Sequence, residues 1–364
     1  MTKRFPLAIA VCLLGCLNIK AATHQLTEFP HVEVVKGGGY FPVLIELKNG
    51  DLMAVLRGGA PHVGVKGRLD VVVSQDGGKT WSAPRTVVDG PGDDRNPAFG
   101  QLKNGDIILA YAVLHGYDAS GLKLSKVPSE REAEGVYIVR SSDGGKTWTK
   151  PELSQATHEL QKNGGSLSPY GKLAQLADGT VLMSVYYQFA DDRGHQDYVF
   201  RSHDDGRTWG EPVLIGKHYD ETALVSLSAN QVLAAMRSEA GGHLAITSSS
   251  DGGRAWTDAV QITQDREHPA DLVQLKNGDI LLTYGERNKP FGVRAMLSHD
   301  RGKTWDENSK FVLADDAAST DCGYPSSVQL PDGKIVTIYY QVDDAQTAPS
   351  SARARAVVWD IPKD

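Results

Sequence analysis

Apolar and polar positions alternate over short stretches of this chain, and one alternating segment returns six times. It reads Leu44-Ile-Glu-Leu-Lys-Asn-Gly50-Asp-Leu, Phe99-Gly-Gln-Leu-Lys-Asn-Gly105-Asp-Ile, Leu173-Ala-Gln-Leu-Ala-Asp-Gly179-Thr-Val, Leu224-Val-Ser-Leu-Ser-Ala-Asn230-Gln-Val, Leu272-Val-Gln-Leu-Lys-Asn-Gly278-Asp-Ile and Ser327-Val-Gln-Leu-Pro-Asp-Gly333-Lys-Ile. Alternation at period two puts every second side chain on one face, so each copy predicts strand, turn, strand. Five of the six carry Asn-Gly or Asp-Gly, the strongest short-range hairpin signal. The anchoring leucines, Leu47, Leu102, Leu176, Leu227, Leu275 and Leu330, are separated by 55, 74, 51, 48 and 55 residues. A period of about 50 with about four strands per unit indicates propeller blades, which predicts an all-β, six-bladed β-propeller.

A second repeat falls between the hairpins, at Ser74–Trp81, Ser141–Trp148, Ser202–Trp209, Ser249–Trp256 and Ser298–Trp305. The pattern is Ser-x-Asp-x-Gly-x-Thr-Trp with Ala255 at the fourth copy's Thr position, and it is the Asp-box. We read it as a structural turn in which Ser and Asp bond nearby backbone, Gly takes the tight conformation and Trp fills the gap between sheets, rather than as five metal loops. The sixth unit has no box and ends in a strand-like run from Ala352 to Ile361. The segment His31 to Val35 is expected to supply its missing outer strand and close the ring, which removes exposed edges.

Composition narrows the class. The chain has 364 residues, 40% hydrophobic and 23% charged, with a net charge of -7 and scattered Lys and Arg. That is globular composition without a nucleic-acid footprint. After Lys3 and Arg4, the apolar run from Phe5 to Leu17 is too short to span a bilayer, which needs about 20 residues, and reads as a secretory signal. Residues 1–22 are therefore expected to be a leader, or a lipoprotein signal ending before Cys16, and residues 23–364 one propeller. The protein is expected to be secreted or periplasmic, without a transmembrane segment, and monomeric. Cys12 and Cys16 fall in the leader, so Cys322 is left without an intrachain partner. No zinc, P-loop or dinucleotide spacing occurs, and no metal or cofactor is expected.

Equal offsets from the anchoring Leu should occupy equivalent places in each blade. Six or seven positions before it lie Tyr40 and Phe41, Arg95 and Asn96, Pro169 and Tyr170, Asp220 and Glu221, His268 and Pro269, and Gly323 and Tyr324. Ten positions after it, Arg57 and Arg237 are equivalent residues. Tyr170 and His268 join the candidate substrate-binding set on these offsets.

With its hairpins and five Asp-boxes the chain resembles the sialidase superfamily. The resemblance implies a propeller with its active site at one mouth of the axis, three arginines on the substrate carboxylate, a Tyr nucleophile deprotonated by Glu, and a loop Asp as acid. A neutral phenol is not repelled by the substrate's carboxylate. Glu221 in Asp-Glu-Thr-Ala-Leu-Val, Arg237 in Ala-Ala-Met-Arg and Tyr324 in Gly-Tyr-Pro-Ser-Ser-Val look like the family's Glu, second Arg and nucleophile. Arg287 in Gly-Glu-Arg-Asn-Lys-Pro is a third Arg, with Arg294 its competitor.

Two positions depart from the family. Gly39-Tyr40-Phe41-Pro42 lacks the first-blade Arg, and the loop Arg57-Gly-Gly-Ala-Pro-His62-Val-Gly-Val-Lys66 lacks a carboxylate. Arg57 or Arg95 would restore the third charge and His62 would donate the proton. The expected activity is an exo-acting glycoside hydrolase on a terminal anionic sugar of a glycan, sialic acid first. A uronate-directed lyase or hydrolase and a non-catalytic glycan-binding propeller are the alternatives.

Overall fold

A computed structural model of the chain describes residues 24–362 except 27, 126–132, 163, 190–192, 229 and 307–309. The expected leader, with Cys16, lies outside the described residues. Each predicted hairpin is present, and each opens an antiparallel set of four strands. The first set is Tyr40–Glu46, Leu52–Gly58, Arg68–Ser74 and Arg85–Val88; the fourth is Tyr219–Ser228, Gln231–Ser238, Leu244–Ser249 and Val260–Gln261. The second and third, which begin with Asp93–Gln101 and Gly165–Gln175, form one eight-stranded sheet because their inner strands pair in parallel over Ala98–Gly171 and Phe99–Lys172. The fifth begins with Glu267–Gln274 and is extended at its far edge by His24–Gln25. In the sixth, Cys322–Gln329, Ile335–Val342 and Ala352–Trp359 are completed by His31–Lys36, as the missing outer strand required. The inner strands touch one another in sequence, and the sixth touches the first. The sheets therefore take a propeller-like arrangement. Gln155–Gln161 is the one helix among the described residues; none there is long and apolar enough to cross a membrane.

The turns explain the Asn-Gly and Asp-Gly signals. In the first hairpin Gly50 N donates to Leu47 O and Leu47 N to Asp51 O, both at 2.8 Å, with Gly50 at φ +86. This is a type I turn closed by a left-handed Gly, a conformation that any Cβ would oppose. Apolar clusters then fill the wedges between neighbouring sheets: Val55, Leu69, Phe99 and Leu109 between the first two, and Leu44, Leu56, Val336 and Ala356 between the sixth and the first.

The Asp-boxes are turns. Asp76 Oδ1 accepts from Ser74 Oγ and from the amides of Lys79 and Thr80, and Oδ2 accepts from Thr80 Oγ at 2.6 Å. The same bonds recur at Asp143 and Asp300. The Thr hydroxyl, then its amide, hold Asp76 and Asp300 down at about 2. These carboxylates are occupied by their own loop. The burial of the tryptophans is uneven: Trp209 is 8% exposed, whereas Trp81, Trp148, Trp256 and Trp305 are half-buried, so the gap-filling read from the sequence is most complete at Trp209. The boxes lie at the outer rim of the wedge, where solvent reaches one side of the indole. Trp209→Ala should accordingly destabilise the protein by about 3–5 kcal/mol, and Trp81→Ala by clearly less, in chemical denaturation of the two variants.

Candidate active site

One backbone irregularity recurs on all six inner strands. The pairing register shifts between Tyr40 and Val43, Arg95 and Ala98, Tyr170 and Ala174, Asp220 and Ala223, Glu267 and Ala270, and Gly323 and Ser326. Bulges of this kind re-aim side chains out of the pleat. Phe41, Asn96 and Tyr324 sit there at φ +52, +51 and +48, a left-handed conformation that costs about 1–3 kcal/mol in a non-Gly residue. The bulges bring Phe41, Asn96, Tyr170 and Tyr324 to one narrow cavity on the axis. The rings of Phe41 and Tyr170 lie 4.8 and 6.3 Å from that of Tyr324.

Glu221 and Tyr324 meet at the centre. The Tyr324 hydroxyl donates to Glu221 Oε1 at 2.5 Å, and Arg237 Nη1 donates to Glu221 Oε2 at 2.6 Å. Glu221 is 4% exposed. Burial pushes its pKa up, but the Arg237 charge and the Tyr324 hydroxyl outweigh it and hold the carboxyl below its usual range. Burial and the charge of Glu221 raise Tyr324 well above the usual phenol. The resting pair is therefore carboxylate and neutral phenol. Behind it, Asp220 Oδ1 lies 3.5 Å from Arg237 Nε, and Asp220 Oδ2 lies 3.0 Å from His195 Nδ1.

Three arginines surround Tyr324. Besides Arg237, the Arg287 guanidinium stands 5.6 Å from the centre of the Tyr324 ring, and Arg287 forms no ion pair among the described residues. Arg95 Nη1 donates to Asp93 Oδ2 at 3.1 Å and its guanidinium stands 5.6 Å from the Phe41 ring. Arg294, the competitor of Arg287, donates instead to the carbonyls of Pro290, Val293 and Ala314 and is buried in the fifth sheet.

Arg57 does not join the cluster, which corrects the offset reading. It is fully buried, and its Nε and Nη2 donate to Asp93 Oδ1 at 2.9 and 2.5 Å. Its remaining donors take the carbonyls of Ala60, Pro61 and Gly64. The cause lies across the strand pair: Arg237 faces Asp220 and Glu221, whereas Arg57 faces the rings of Tyr40 and Phe41 and turns to the nearest carboxylate. Tyr170 is floor rather than contact, since its hydroxyl is spent on Ala270 O at 2.9 Å. His268 is buried, and burial, then Arg237 and Arg287, push its pKa down to about 2, so it is a neutral imidazole. Its buried Nδ1 has no protein partner.

His62 reaches the mouth from the loop that Arg57 holds. Its ring packs edge-on against Phe41 at 4.8 Å, and Nδ1 lies 2.7 Å from Asp321 Oδ1. Tyr340 donates to the same Asp321 oxygen at 2.7 Å. The offsets pick out neither Asp321 nor Asp93; the position of Asp321 three residues before Tyr324 is its one sequence signal. Cys322 is buried, and burial raises its thiol to about 11, as a packing residue requires.

Residues 50–337 match the BNR repeat-like domain family. A sialidase of Micromonospora viridifaciens is 24% identical over 329 residues, covering 82% of this chain and 49% of its own length. A sialidase of Bacteroides fragilis is 22% identical over 326 residues, covering 81% and 58%. The chain thus spans about half the length of the curated relatives it matches. Among solved structures, a protein of unknown function from Dyadobacter fermentans superposes with a TM-score of 0.74 at 26% identity, over 91% of this chain and 98% of the other. With the Asp-boxes, the bulged inner strands and this match over most of its length, the chain belongs to the BNR repeat-like family of the sialidase superfamily.

Proposed function

We propose that the chain is a six-bladed β-propeller glycoside hydrolase, exported by its N-terminal leader, that releases a terminal anionic sugar, sialic acid first. The observation that carries this reading is the Tyr324 hydroxyl seated on a buried, ionised Glu221 inside a ring of Arg95, Arg237 and Arg287. A binding protein has no use for a phenol poised on a base, and a cluster of guanidiniums recognises a planar carboxylate by paired hydrogen bonds. In the first step Tyr324 Oη attacks the anomeric carbon, its proton passes to Glu221, and the glycosidic C–O bond breaks. Substrate carboxylate arriving at Arg237 would share the charge that now suppresses Glu221, raising its basicity as the nucleophile is needed. The similarity to proteins named sialidases supports the same reading.

Product analysis on a panel of sialylated and uronate-containing glycans tests it. Free sialic acid or another released acidic sugar is the expected result. An unsaturated uronate absorbing in the ultraviolet would move the assignment to the lyase, and tight binding without any product would move it to a glycan-binding propeller.

A further inference from the structure

Resting on the hydrolase reading, we propose that His62, oriented by Asp321 and Tyr340 and carried on a loop clamped by Arg57, is the proton donor to the leaving sugar oxygen. The geometry is built rather than incidental. The side chain is one-third exposed, and Nε2 has no protein partner among the described residues, while Nδ1 is committed to Asp321. His62, with Tyr340, holds Asp321 below its usual range even though burial pushes it up, so Asp321 is a carboxylate and accepts from Nδ1–H. That fixes the tautomer and leaves Nε2 as the atom that gains and loses the proton. Tyr340 takes part of the same oxygen and holds the carboxylate from its other side. Arg57 Nη1 and Nη2 grip carbonyls on both sides of His62, at Ala60, Pro61 and Gly64, so the loop cannot swing. The Phe41 ring packs against both His62 and Tyr324, with a ring distance of 4.8 Å to each.

The proton balance closes. Protonated His62 gives its Nε2 proton to the leaving oxygen, which keeps the electron pair of the broken C–O bond, as Tyr324 bonds to the anomeric carbon and Glu221 takes the phenol proton. Water then attacks the same carbon, neutral His62 takes a proton from it, and the Tyr324 Oη–carbon bond breaks with its electron pair left on Oη, to which Glu221 returns its proton. The groups facing His62 are Asp321, Tyr340 and Tyr40 at contact, with Arg95 and Arg287 beyond. Burial, the largest effect, holds the His62 pKa below the usual imidazole range, with Asp321 opposing it and Arg95 and Arg287 adding to it. Deprotonating the acid removes activity, so kcat/KM falls as pH rises through the His62 value.

The test compares the full-length wild type with His62→Gln and Asp321→Asn on an aryl glycoside and on an unactivated sugar glycoside of the acid that the product panel identifies. His62→Gln should lose about 10²–10⁴-fold on the unactivated glycoside and less than about tenfold on the aryl one, whose leaving group needs no proton. Asp321→Asn should keep KM and move the alkaline limb of kcat/KM down by about one unit. Histidine-selective 15N NMR reads the Nδ1–H tautomer at His62 without any turnover, and Asp321→Asn should abolish its preference. Equal losses on both glycosides, or an unmoved alkaline limb, would overturn the acid role while the hydrolase reading stands. A wild type that releases nothing from the panel would overturn that reading and this role with it. An Nε2–H tautomer would overturn the pairing itself.

Discussion

Replacing Tyr324 by Phe is expected to lower kcat by about three orders of magnitude or more, with folding intact and ligand affinity changed little. The ring packs against Phe41, Tyr170 and Tyr340, at centroid distances of 4.8, 6.3 and 5.6 Å, and Phe keeps all three contacts. What is lost is the hydroxyl, which acts in the chemical step. Glu221→Gln should behave in the same way, because an amide holds the Tyr324 hydroxyl in place and cannot take its proton. Incubation of the wild type with a fluorinated sialic acid analogue, followed by intact-mass and peptide mass analysis, should show one sugar added at Tyr324. Turnover of natural substrate without any adduct would remove the covalent mechanism. Tyr324→Phe at wild-type rate would remove Tyr324 from the chemistry altogether.

The places of Glu221 and Tyr324 were legible because both residues stand six positions before an anchoring Leu, where a bulge recurs on every inner strand, and the resemblance to the family picked these two out of the residues at that offset. Counting from the hairpins found a place on the axis without any template. The same count misplaced Arg57, since an offset fixes where the backbone is and not what faces it. Asp220 and Glu221 draw Arg237 to the axis, while Tyr40 and Phe41 offer Arg57 no carboxylate, and it goes to Asp93. Asp321 was illegible for another reason: its partner His62 is 259 residues away, and the contact exists only because the sixth sheet closes against the first. The closing strand itself was readable from what the last unit lacked. The depth of each tryptophan was not legible, because an indole in a repeated turn says which wedge it enters and not how deep that wedge is.

Arg237→Gln and Arg287→Gln should separate two roles that one positive mouth combines. Arg287 stands over the Tyr324 ring and is free of any carboxylate among the described residues, so its loss should raise KM by about 10–100-fold and move the acid limb of the pH–rate profile less than the loss of Arg237 does, because its charge is a smaller influence on Glu221 than that of Arg237. Arg237 also tunes the base. Its charge and its 2.6 Å bond to Glu221 oppose the upward push of burial, together with the Tyr324 hydroxyl and the charge of Arg287, and the carboxyl sits below its usual range because that opposition wins. Without Arg237 only the Tyr324 hydroxyl and Arg287 oppose burial, and the Glu221 value should rise by more than about one unit. A base works above its own value, so the acid limb of kcat should move to higher pH, in addition to the rise in KM. Stability changes sign in the same direction. In the wild type the depressed Glu221 contributes stability that is present above the unfolded carboxyl value and lost as pH falls through the folded one. In the variant the folded value lies above the unfolded one, so the protein should become more stable as pH falls from 7 to 5. Breaking the pair at neutral pH should cost about 3 kcal/mol, the lower end for buried pairs because Arg237 is 26% exposed. Rate profiles and denaturant titrations at pH 7 and 5 measure both effects. An acid limb left in place by Arg237→Gln would mean that Tyr324 and the neighbouring dipoles alone keep Glu221 ionised, and Arg237 would then be a substrate ligand only.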